Sequence, residues 1–85
     1  MKTSEINNSL IGKRVNGVFL AMPVTGTIIA TVEGRCPVTN DLCSKGVLIS
    51  LDKPVYDGTG IYTQYESTSR VYDDWGNLSH THIID

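Results

Sequence analysis

Two cysteines, two histidines and a cluster of aromatic rings are the side chains with chemistry to offer here. Cys36 and Cys43 are separated by six residues. That gap is neither the two-residue spacing of a redox dithiol nor the paired short gaps of a zinc knuckle. A disulfide would close the span if the segment doubled back, but cytoplasmic thiols are normally kept reduced. The reading is therefore a structural or incidental pair, with a bridging or regulatory disulfide as the alternative. His80 and His82 stand two apart. In a strand both rings project from one face, the geometry in which neighbouring imidazoles share a metal, and the cysteines would complete a Cys2His2 set. Neither pair has zinc-finger spacing, so the histidines are assigned to a partly exposed terminal strand and no metal is expected.

No Gly-x-Ser-x-Gly elbow, phosphate loop, dinucleotide fingerprint or His-Glu-x-x-His helix occurs in the chain. Asp73 and Asp74 are adjacent, so in a strand they face opposite sides and do not form a carboxylate couple. The expectation is a protein that is not an enzyme and takes no cofactor. Five of the six aromatic residues, Tyr56, Tyr62, Tyr65, Tyr72 and Trp75, fall in the second half. Tyr and Trp join large contact area to a polar tip, which suits them to binding surfaces. Alternation puts Tyr62 on a face with Gln64 and Glu66, and Tyr72 on one with Arg70 and Asp74. Tyr65 is assigned to the core, and Trp75 is left open between core and surface. Asp52, Asp57, Glu66, Asp73 and Asp74 outnumber Lys53 and Arg70 in this stretch. The expected protein-binding face is Tyr62, Tyr72, Trp75, Asp73, Asp74 and Glu66, meeting a partner with a basic surface. An ordinary solvated face is the alternative for the acids. A second reading makes Arg14, Arg35, Lys45 and Arg70 the phosphate contacts of a nucleotide-like ligand, with an aromatic ring on the base and the chain acting as a homo-oligomer.

These residues need a scaffold, and 85 residues with 40% hydrophobic content supply one small domain. Eight Val, eight Ile and nine Thr against two Ala favour strands over helices. The spacing predicts a strand over 13–21 with Val15, Phe19 and Ala21 on one face and a bulge at Gly17, then a turn at 22–26. A strand over 27–33 follows, with Ile28, Ala30 and Val32 inward. Residues 34–45 read as a long loop. The strand at 46–52 has Val47, Ile49 and Leu51 on its core face and ends at Lys53-Pro54, because proline cannot extend a central ladder. A turn at 56–60 leads to strands at 61–67, 69–73 and 79–84. Residues 1–11 read as a polar arm, leaving 12–85 as the domain. The fold class expected is all-β: a single small antiparallel barrel of five to six strands, whose closure removes exposed edges.

Ile11-Gly-Lys-Arg-Val15, Gly26-Thr-Ile-Ile-Ala-Thr-Val32 and Val47-Leu-Ile-Ser-Leu-Asp-Lys-Pro54 resemble the first three strands of a small SH3-like or Tudor-like barrel. The resemblance covers about half the chain and speaks to architecture, since such barrels bind peptides, nucleic acid and proteins alike. It implies a compact binding module of the kind common among small phage and mobile-element inhibitors that dock on a host protein and block it. The net charge of −2 argues against direct nucleic-acid binding. No apolar run is long enough to span a membrane, and the first residues lack the apolar segment of a secretory leader, so a cytoplasmic protein is expected.

Overall fold

The computed structural model describes residues 1–72 and 80–84. Five antiparallel strands form one sheet: β1 (Arg14–Phe19), β2 (Met22–Arg35), β3 (Leu42–Tyr56), β4 (Ile61–Arg70) and β5 (His82–Ile83). Their order is β4-β3-β2-β1-β5, a four-strand meander whose last strand returns beside the first. The all-β class read from composition is the class observed. Single 3-10 turns at Thr3–Glu5 and Asn8–Leu10 are the helical elements among the described residues.

The sheet is curled around a small apolar core. Val15, Ile28, Val47 and Ile49 are buried on its inner face, joined by Tyr65 from β4. The first eleven residues, expected as a polar arm, close that core from one side. Their two turns bring Ile6 and Leu10 inward, with Ile6 only 1% exposed, and Thr31 Oγ1 donates to Asn8 Oδ1 at 2.9 Å. Burial of two aliphatic side chains, about 2 kcal/mol each, is what holds so polar a segment to the sheet. The sheet edges approach each other through side chains. Ser67 Oγ on β4 lies 2.9 Å from Thr81 Oγ1 beside β5, and Thr3 hydrogen-bonds Ser69. No backbone ladder joins β4 to β5 among the described residues, so the closed barrel expected from the sequence is not what the ladder displays.

Four local expectations change. The turn expected at 22–26 lies instead at Leu20 and Ala21, and β2 begins at Met22. A two-residue hairpin turn needs left-handed backbone, which is usually announced by Asn-Gly or Asp-Gly. Here two ordinary residues adopt it, so the sequence carries no signal. A bulge at Ile29 shifts the β2 register, so that Thr31, not Ala30, is the neighbour of buried Val47. One inserted residue exchanges the two faces beyond it, which ends the inward run of Ile28, Ala30 and Val32. The long loop contracts to residues 36–41, because both flanking strands run on to Arg35 and Leu42. Strands expected at 61–67 and 69–73 are one continuous β4.

Candidate functional site

The β2–β3 ladder stops at Gly26 and Leu51. Beyond that point, among the described residues, residues 22–25 keep only β1 as a ladder neighbour. On the other strand, β3 bulges away from β4 between Ser50 and Val55, with Thr63 left opposite four residues. The two strands therefore fork. Pro23 stands on one wall and Pro54 on the other, and a residue without a backbone N–H cannot extend a ladder from either side. Between the walls lies a groove of about 870 Å³, lined by Val18, Met22, Pro23, Lys53, Pro54 and Tyr56 among others, with His80 and His82 at its β5 side.

Asp52 pins the base of the fork. Its carboxylate takes a two-point hydrogen bond from the Arg14 guanidinium at 2.7 and 2.5 Å and a third from Thr25 Oγ1 at 2.7 Å. These donors hold the Asp52 pKa down to about 2, with Arg14 the larger influence and Thr25 next. The same guanidinium also donates to Thr27 at 3.0 Å. Three strands are thus tied together immediately beside the place where two of them part.

The rim of the groove is apolar and its turn is strained. Leu20 and Ala21 have φ of 52° and 63°, a conformation costing about 1 kcal/mol for a residue with a Cβ. Leu20 is 46% exposed and Val18 44%, so nearly half of each side chain's surface stays in water. Across the fork Tyr56 is 68% exposed and pairs with the equally open Ile61. Strained backbone and exposed apolar groups thus lie together at this end of the sheet.

Behind the groove, Phe19 stacks on Tyr65 with centroids 4.8 Å apart and meets Tyr62 edge-on at 5.3 Å. Tyr65 is in the core, as expected, and its hydroxyl is buried without a hydrogen-bond partner among the described residues. Burial accordingly raises its pKa. The hydroxyl occupies the space a Cβ would need at Gly17, so glycine there answers to this close approach.

Of the binding face expected from alternation, Tyr62 is half-buried against Phe19, because the bulge in β3 resets the faces of β4 at Thr63. Glu66 is exposed in mid-strand, and Tyr72 is exposed beyond the far end of β4. These three are not gathered into one patch. Asp73, Asp74 and Trp75 lie outside the described residues. The four cations of the ligand reading also separate. Arg14 is at the fork, whereas Arg35, Lys45 and Arg70 belong to the opposite end of the sheet. There Arg35 pairs with Glu33 at 3.2 Å and Lys45 Nζ donates to the Ile6 carbonyl at 3.1 Å. The residues of the Cys2His2 set stand at opposite ends of β2: the cysteines flank its Arg35 end, and His82 pairs with Asn16, itself opposite Thr25. Sequence reasoning missed the groove itself. Its signal was two prolines, each flanked by strand-forming residues, at Pro23 and Pro54.

The class defined by fold and site is a small all-β domain with one forked, apolar-rimmed groove. The chain belongs to the family described as Domain of unknown function (DUF7258), whose model matches residues 1–83. No curated protein matches the chain. No solved structure matches it. Among the described residues no helix is long and apolar enough to cross a membrane.

Proposed function

We propose that this domain is a non-enzymatic protein-binding module that receives its partner in the fork between β2 and β3. The observation carrying the reading is the Leu20–Ala21 turn: a strained backbone leaves half-exposed apolar side chains next to the strand residues that line a groove. A partner would cover Val18, Leu20, Met22 and Tyr56 and release the hydrophobic free energy that the monomer forgoes. An inhibitor that blocks another protein by occupying it is one use of such a module, and the curled meander supports an SH3-like architecture for it. The nucleotide-like ligand is the weaker reading, because three of its four cations are remote from the groove and two of those have intramolecular partners. Photo-crosslinking in the native host tests the reading. A benzophenone side chain at position 20 or 56 is expected to trap one common protein, and the yield falls when Val18 and Met22 are replaced by serine. Equal trapping of that protein from position 38, in the distant β2–β3 turn, overturns it.

A further inference from the structure

The charged side chains lining the groove among the described residues are Asp52 and Lys53. Asp52 is the one carboxylate among the described residues lining the groove, and both its oxygens accept hydrogen bonds, Oδ1 from Arg14 and Oδ2 from Arg14 and Thr25. Lys53, the next residue, also lines the groove and has no ion pair among the described residues. His80 and His82 add imidazole N–H donors. In a chain of net charge −2, this is a local surplus of hydrogen-bond donors and positive charge among the described residues lining the groove. The flanking surface is aliphatic, from Val18, Met22 and Pro54. Pro23 and Pro54 also withdraw a backbone N–H from each wall, so an occupant is held through its side chains more than by strand addition.

We infer that the fork takes an acidic segment of the partner protein that also carries aliphatic side chains, its carboxylates meeting Lys53, His80 and His82 and its aliphatic groups meeting Val18, Met22 and Pro54. This rests on the docking role proposed above and names the chemistry of the partner. It reverses the polarity expected from the sequence, where the acids of residues 52–74 pointed to a basic partner surface. The reversal comes from Asp52, which is committed internally, while its neighbour Lys53 is not. Complementary charge around an apolar contact supplies register and selectivity in such a site.

The test uses the full chain, labelled with nitrogen-15, and three short peptides that alternate Leu with Glu, Lys or Ser. The Glu–Leu peptide is expected to shift the amide signals of residues 16–25 and 52–56. Lys53→Glu should weaken it at least ~10-fold and bring the Lys–Leu peptide into the same groove. Val18→Ser should weaken every peptide that binds there, and an unchanged melting temperature shows that each variant folds. If the Lys–Leu or Ser–Leu peptide binds the groove as well as the Glu–Leu peptide, the acidic assignment is overturned while the docking role stands. If no peptide shifts the groove signals, the acidic assignment is overturned and the crosslinking experiment decides the docking role by itself. Binding of inorganic phosphate as tight as that of the Glu–Leu peptide overturns it in favour of a small anion.

Discussion

At its Arg35 end β2 stays paired with β3 down to Leu42, and the chain reverses through residues 36–41, where Asn40 is left-handed and the Cys36 amide and carbonyl are both bonded within the turn. At its Met22 end the same strand has lost β3, turns through two left-handed residues without glycine, and exposes aliphatic groups. The first end bonds its backbone within the turn and exposes one aliphatic side chain, Val38; the second exposes Val18, Leu20 and Met22 together, next to the groove. On the docking role proposed above, the difference marks where a sheet this small would make room for a partner. The core needs the ladder around Ile28 and Ile49, so the ladder is interrupted one step beyond it, at Gly26 and Leu51.

The largest effect is expected where the two regions share support. Ile49 is fully buried between β2 and β4, and Ile49→Ala should cost about 3 kcal/mol in urea unfolding. Gly17→Ala should cost about 2 kcal/mol, because the added Cβ meets the Tyr65 hydroxyl. Tyr65→Phe should recover much of that loss in the double variant, and additive effects would show that the close approach is not the cause. Alone, Tyr65→Phe removes a buried hydroxyl without a partner and should raise stability by up to about 1 kcal/mol. A clear loss of stability would mean that the hydroxyl is bonded.

Converting the strained turn into the kind found at ordinary hairpins sharpens the contrast. Leu20→Asn with Ala21→Gly should stabilise the domain by about 1 kcal/mol, since both residues then suit positive φ. The same change should weaken partner binding, because an apolar rim residue is removed. Unchanged binding by the more stable protein would detach the strain from function.

Smaller effects follow from the carboxylates. The pKa of Asp52 is lowered to about 2 by Arg14 and Thr25, and that of Asp57 to about 2, chiefly by the Thr59 hydroxyl and then the Thr59 amide. A lowered native pKa adds stability that is complete above the unfolded value near 4 and is lost as pH falls towards 2. Asp52→Asn should therefore flatten the acid side of a melting-temperature profile between about pH 4 and 2 and leave its slope at neutral pH unchanged. At the other hairpin the Cys36 thiol pKa is lowered by the Thr39 hydroxyl and by backbone N–H groups of Thr39 and Val38. Thr39→Ala should slow its alkylation at neutral pH relative to Cys43.

Much of the fold was legible because composition and alternation act locally. Val47 and Ile49 were placed inward correctly, and the Asp57–Gly60 turn appears where its residues announced it, with Asp57 Oδ1 accepting from Thr59 N at 2.8 Å and Gly60 N at 3.0 Å. What stayed hidden depended on register. The Ile29 bulge has no residue signature, and it moved Thr31 beside Val47 in place of Ala30. The β3 bulge rotated Tyr62 from an expected outer face to a place against Phe19. Period-two counting fails after any such insertion. The groove was invisible for the same reason. It exists because two strands that pair over most of their length stop pairing, and only Pro23 and Pro54 hint at the place.

Hydrogen exchange on the domain with and without its bound partner tests the central claim most directly. Slowed exchange is expected over residues 18–25 and 52–56, with residues 36–41 unchanged. Protection confined to the outer side of β4 around Glu66 and to Tyr72, with the fork exchanging as in the free domain, would contradict it.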